Sequence, residues 1–387
     1  LSRWHIMSGP PNRPHTLSPS AWNRFEACPR QYWLSRQGLP KKAGMAASLG
    51  TAVHASIEDL AQIDLTNRDD AETNWMPSLA ADFLKHRWEE EKSVFMKTPR
   101  RPKWKEEDYP KAKKHQVGAI HLLLKFVKLP TCSLEEITIG MWKKVLSCVL
   151  AVEAELRTSD DKLMGRLDLL MAEKSQSGEV VSWVVADLKT GRAPKNELKP
   201  EVQRQLLLYR DILLSNNPNA PPLKTQGWYS ENAHAYSAEG DSVMDDALRA
   251  WESSHVTDNP LEATPGPTSC GGFCDWKAWC PHWMSWQQSS GMQSDFVDMV
   301  VLIHSYQTSN GLAIAEFCEA LDTSGRVIPT GDRKPLRFDH RAKEVFEVML
   351  EQGHKGPVFI SGVMAKGETL RAGHWCDVLP FSPIPDA

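Results

Sequence analysis

Apolar positions recur at helical spacing through the first third of the chain, and that periodicity predicts helices near 19–37, 48–64, 77–96 and 109–128. The period then changes. From 147 to 189 apolar residues alternate or run together with β-branched and aromatic side chains, which predicts strands near 147–157, 162–172 and 180–189. A helix near 199–215, a strand near 224–230 and a helix near 241–254 complete an α/β core whose mixed central sheet is flanked by helices. Residues 1–16 are polar and proline-rich and are expected to be disordered, with Met7 a candidate natural start.

Composition narrows the class without fixing it. With 41% apolar and 24% charged residues the chain reads as an ordinary soluble globular protein, and a cytoplasmic one. No apolar run approaches the length of a bilayer-spanning helix, so no membrane role is expected. A net charge of −4 argues against a protein that coats nucleic acid, so any such contact must be a local patch. One patch is visible between Lys97 and Lys114, where eight cations face three acids and Trp104 and Tyr109 are interleaved. Cations beside rings suit the phosphates and unpaired bases of a single strand, while a solvated basic loop has the same composition.

The candidate chemistry lies on the central strands. One strand runs through Gly165-x-x-Asp168, and the next ends on Asp187-x-Lys189 before a Thr190-Gly191 turn. Strand side chains alternate, so Asp187 and Lys189 share a face, and Asp168 from the neighbouring strand can complete an oxygen-rich site for Mg²⁺ or Mn²⁺, while a surface strand with a salt-bridged Asp and Lys has the same tripeptide. Such a cation polarises a phosphodiester and lowers the pKa of a bound water, and a lysine beside it offsets charge in the transition state. The following helix carries Gln205 and Tyr209, four residues apart and therefore on one face. Upstream, His54 lies on a helix, and Glu153 and Glu155 precede the Asp168 strand.

Gly165-x-x-Asp168, Asp187-x-Lys189 and Gln205-x-x-x-Tyr209, in this order after His54, resemble the PD-(D/E)XK nucleases of the RecB/AddB exonuclease type. The resemblance covers residues 17–286 and implies a restriction-endonuclease-like core with a helical insertion over about 64–146. It implies that His54, Asp168 and Asp187 hold the metal, with an acidic residue such as Glu153 nearby, that Lys189 attends the attacking water, and that Gln205 and Tyr209 position the DNA strand. Cys28-Pro29 near the start and Cys270, Cys274 and Cys280-Pro281 near the end are similar to the iron–sulfur branch of the same family, including its CRISPR-associated exonucleases, although the first gap of the trio holds three residues where relatives usually leave two. By count, four thiolates serve zinc as well as a [4Fe–4S] cluster; the resemblance implies the cluster. Joining Cys28 to the distal trio closes a loop of roughly 240 residues, an entropic cost of about 5 kcal/mol for a free chain that the clasp offsets. Cys132, Cys148, Cys318 and Cys376 show no ligand spacing.

Residues 295–387 read as a separate small β-rich unit. Short runs at Val297–Ile303, Leu312–Cys318, Pro357–Ser361 and His374–Leu379, with a helical stretch from Ala342 to Gln352, suggest roughly five strands with a helix between the third and fourth, similar to an OB-like barrel. The expected activity is therefore a metal-dependent DNA exonuclease acting on single strands or DNA ends, in repair, recombination, replication or defence. The alternative of another class is a catalytically silent DNA-end-binding or scaffold subunit working with a helicase. No Gly-x-x-x-x-Gly-Lys-Ser/Thr loop is present, so unwinding would fall to a partner.

Overall fold

The computed structural model of the chain describes residues 15–255, 258–270, 274–290, 295–366 and 369–386. The expectation of disorder falls largely on residues 1–14, outside this set, but it fails for the two residues that follow. His15 stacks on Trp251 at 5.7 Å with its Nε2 3.1 Å from the Trp251 carbonyl, and the Thr16 hydroxyl donates to the Asp161 carbonyl at 2.9 Å.

The helix expected over 19–37 is broken in two. Pro29 lacks an N–H and drives the residue before it into extended backbone, so Cys28 (φ −169°, ψ 115°) ends α1 (Pro19–Ala27) and begins α2 (Pro29–Leu34). Three longer helices follow as expected, α3 (Met45–Ala61), α4 (Met76–Lys97) and α5 (Tyr109–Phe126), and then a short α6 (Ile139–Leu146) that the periodicity did not resolve. The core continues with β1 (Val149–Arg157), β2 (Met164–Lys174), β3 (Val180–Lys189), α7 (Pro200–Asn216), β4 (Leu223–Tyr229), β5 (His234–Ser237) and α8 (Met244–Ser253). These strands form one sheet in the order β1-β2-β3-β4-β5, antiparallel throughout except where α7 carries the chain from β3 to a parallel β4.

Both faces of the sheet are covered, which is why β3 is apolar on both sides. Leu169, Met171, Val184, Ala186 and Leu188 pack against α3 to α6, and Leu170 and Val185 pack against α1, α7 and α8. The α5 contact is unusually close. A Cβ on Gly118 would lie 1.9 Å from the Ser230 carbonyl oxygen, so only glycine lets this helix approach the end of β4.

After α9 (His282–Ser290) the chain enters a second sheet: β6 (Phe296–Gln307), β7 (Leu312–Ala320), β8 (Val327–Phe338), α10 (His340–Glu351), β9 (Val358–Lys366), β10 (Thr369–Ala372) and β11 (Val378–Pro380). Antiparallel pairs β6–β7, β7–β8, β6–β9 and β9–β10 and the parallel pair β8–β10 close five strands into a ring, with β11 added to β9. The helix falls between the third and fourth strands, as expected of an OB-like barrel. No run was assigned to the third strand, β8, or to β10, and only the end of the run expected at 374–379 pairs, as β11.

The cysteine-bearing segments fill the junction between the two sheets. Trp33, Leu34, Cys270, Trp279, Cys280 and Trp283 share one apolar cluster with Val300, Phe359, Leu379 and Phe381 of the barrel. Among the described residues no helix is long and apolar enough to cross a membrane.

Candidate active site

Three carboxylates lie level across three adjacent strands. The β1–β2 ladder pairs Val152 with Leu169 and Ala154 with Leu167, which sets Glu153 beside Asp168; the β2–β3 ladder ends at Leu169–Ala186, one position before Asp168 and Asp187. Like charges opposite one another destabilise a sheet, so such a row calls for a cation. From α3, His54 reaches in with Nδ1 3.4 Å from Asp168 Oδ1, and ligand atoms of His54, Glu153 and Asp168 lie within 4.8 Å of one another. The other Asp168 oxygen accepts from the Leu188 N–H at 2.6 Å, which fixes the carboxylate.

Glu153 has a left-handed backbone, φ 50°, inside a strand. That conformation costs a non-glycine residue about 1 kcal/mol and is the kind of strain found at functional positions. It also separates two residues that a regular strand would put on one face. Glu153 joins the acidic row and its Oε2 meets Arg166 at 2.6 Å, whereas Glu155 is exposed and pairs with Arg157.

Lys189 and α7 close the other side. The Lys189 ammonium lies 2.6 Å from Asp187 Oδ2 and donates to Gln205 Oε1 at 3.2 Å, while Gln205 Nε2 donates to Asp187 Oδ1 at 2.9 Å and to the Tyr209 hydroxyl at 2.8 Å. Tyr209 is only 4% exposed, and its hydroxyl accepts from Gln205. Gly165 explains the Gly-x-x-Asp pattern, because the Tyr209 ring occupies the space where a Cβ at 165 would stand.

Burial and charge tune these groups. Asp187 is fully buried, and that burial, together with Asp168, pushes its carboxyl up to about 6 against the pull of Lys189. Burial lowers the imidazole of His54, but Asp168, Asp187 and Glu153 outweigh it and raise it. Burial and Asp168 raise Glu153. Lys189 would lose affinity for its proton through burial, yet Asp187 and Asp168 more than restore it, so the ammonium persists.

The residues present fit a hard divalent cation. His54, Glu153 and Asp168 offer one nitrogen and two carboxylate oxygens within 4.8 Å of one another, while Asp187, engaged by Lys189 and Gln205, is not part of that set. The cysteine quartet is looser. Burial raises Cys270, Cys274 (to about 12) and Cys280 (to about 11), and Cys28 and Cys270 are in electrostatic reach of Cys280. Their sulfurs do not form a set within 4.8 Å, although a single zinc ion with bonds of about 2.3 Å needs thiolates about 3.8 Å apart.

A family model described as the PD-(D/E)XK nuclease superfamily matches residues 16–281. The chain belongs to that superfamily and carries a nuclease core of its mixed-sheet type. Comparison with curated proteins gave no match.

Two outcomes follow from the acidic row. In metal-free protein the raised Asp187 carboxyl keeps its proton only below about pH 6, so its contribution to stability is full below the ordinary carboxyl range and is lost as pH rises through about 6. A divalent cation must displace that proton. The rise in melting temperature produced by Mn²⁺ should therefore be small below about pH 5 and complete above about pH 7; a rise independent of pH would contradict the role given to Asp187. Glu153→Asn removes a like charge and puts a residue tolerant of φ 50° in its place. It should raise the metal-free melting temperature by about 2 °C while lowering nuclease activity at least about tenfold. A lower melting temperature, or unchanged activity, would remove Glu153 from the site.

Proposed function

We propose that the protein is a metal-dependent DNA exonuclease that hydrolyses phosphodiester bonds on single strands or DNA ends. The observation that carries this reading is the cluster of His54, Glu153 and Asp168, with Asp187 level with Asp168 on the next strand and Lys189 paired to it. His54, Glu153, Asp168 and Asp187 hold Mg²⁺ or Mn²⁺, which when bound supplies Lewis-acid polarisation of the phosphate and a water of lowered pKa. Lys189 orients that water and offsets charge developing on the phosphate oxygens. Gln205 keeps Lys189 and Asp187 in register, and Tyr209 holds Gln205.

Cys28, Cys270, Cys274 and Cys280 hold a [4Fe–4S] cluster that clasps α1 and α2 to the nuclease core over 17–286 and braces the barrel over 295–387. What supports this reading is the burial of Cys270 and Cys280 in the junction beside the barrel and the burial of Cys28; a four-iron cube would take one thiolate on each corner. Anaerobically purified protein should be brown and contain iron and sulfide; colourless protein carrying zinc would replace the cluster with a structural ion.

The direct test is digestion of end-labelled single- and double-stranded DNA with Mn²⁺, Mg²⁺ or a chelator. Stepwise shortening from ends with metal, and none with chelator, is expected. DNA that is bound equally with and without metal and never shortened would favour the catalytically silent end-binding reading.

A further inference from the structure

The basic segment beyond α4 does not behave as one patch. Arg100 is buried and pins the segment to the barrel: its Nε and Nη2 donate to Asp377 at 3.0 and 2.5 Å, and its guanidinium lies over Trp276 and Trp279. Trp104 is 7% exposed and packs edge-on against Trp88 and Phe95, so it is unavailable to a base. Tyr109 likewise meets Trp88 at 5.4 Å. Arg101, Lys103 and Lys105 remain beside the barrel, and none of the three forms an ion pair of its own among the described residues.

Their position gives them partners of the same sign. Lys103 and Lys105 are in electrostatic reach of His374, as are His340 and Arg371, and Arg101 is in reach of Arg341. Next to them the barrel has a cavity of about 690 Å³ lined by Asn310, Arg337, His340, Lys343, Thr369 and Arg371. Its acid, Asp339, is held by Arg337 at 3.0 Å and by Arg371, while Glu344 and Glu347 are met by Arg341 and Lys343. Positive charge is left over. A strip of rings leads away from the cavity, His340 to His374 at 6.4 Å, His374 to Trp375 at 5.1 Å and Trp375 to Phe296 at 5.9 Å, and Phe296 is 51% exposed.

We propose that this face, composed of the Lys103–Lys105 segment and the barrel cavity, binds single-stranded nucleic acid outside the metal site, with the cations on phosphates and the Phe296–Trp375 strip on unpaired bases. It deepens the nuclease reading, on which it rests, by giving the barrel the task of holding the strand whose end is cut.

The test uses the full chain, a fluorescein-labelled oligothymidylate and a duplex of equal length, read by anisotropy with chelator present. K103A/K105A should weaken oligothymidylate binding about tenfold and reduce the slope of log affinity against log salt by about 1.4. F296A should weaken the single strand and spare the duplex. Melting curves of both variants should match the parent. Unchanged affinity and slope in K103A/K105A would overturn the proposal and leave the face to an acidic protein surface, and an F296A protein that binds both DNAs as the parent does would overturn its single-strand assignment. Cutting by the parent separates the two readings: its failure to cut in Mn²⁺ sinks the nuclease, while the binding assay, run with chelator, still reports on the face.

Discussion

Lys189→Ala is expected to lower the rate of DNA cleavage about a thousandfold while leaving DNA affinity and Mn²⁺ binding in place. The ammonium sits 2.6 Å from Asp187 Oδ2 and 3.2 Å from Gln205 Oε1, in a site where burial strengthens every charge interaction. Deleting one preorganised donor of this kind costs about a hundred- to a thousandfold in turnover, or about 3 to 4 kcal/mol of transition-state stabilisation. The loss should appear in kcat rather than KM, because the lysine is held by the site's own residues before any substrate arrives. Asp187→Asn distinguishes ligand from lysine: it should abolish the rise in melting temperature on adding Mn²⁺, which Lys189→Ala should retain. Undiminished cutting by Lys189→Ala would remove the site assignment altogether.

The strand carrying Asp187 and Lys189 was legible because its β-branched density admits no other element, and its bounds, Val180–Lys189, coincide with the expected ones. His54 and Asp168 were placed by motif order and do meet, at 3.4 Å. Glu153 could not be separated from Glu155 by alternation, since alternation assumes regular backbone and φ 50° at Glu153 breaks it. The burial of Tyr209 was hidden for a related reason: a helical face shows that Gln205 and Tyr209 are neighbours, not which of them is buried against a glycine of another strand.

Elsewhere the misreadings share one cause. Local pattern reports propensity, whereas β8 exists because the barrel closes on it. Its sequence, with Pro329, Gly331 and Pro335, reads as loop, yet it pairs with β7 along one edge and with β10 along the other. Trp104 and Arg100 looked available because charge and aromatic content do not encode burial; Trp88 on the preceding α4 covers the first, and Asp377 beyond β10, remote in sequence, holds the second. The break in the helix at Cys28 is written in Pro29, which outweighs the apolar periodicity around it.

Gly165→Ala should damage the enzyme without touching a metal ligand. The added Cβ would stand 2.5 Å from Tyr209 Cε1 and 2.6 Å from Cδ1, and the ring has no exposed side to move toward. Overpacking of this sort costs about 1–3 kcal/mol of stability. Any shift of the ring is passed to the hydroxyl that Gln205 meets at 2.8 Å, and from Gln205 to Asp187 and Lys189. A displacement of about 1 Å at reacting groups lowers turnover about a hundredfold, so cleavage should fall far more than the melting temperature suggests. A double-mutant cycle isolates the contact. In a Tyr209→Ala background the methyl has room, and Gly165→Ala should cost at least about 1 kcal/mol less stability than it does in the parent. Cleavage should stay low in the double variant, because Gln205 has lost its tether. Strictly additive stabilities would show that the ring and the glycine are not coupled, and Gly-x-x-Asp would then need a different physical explanation.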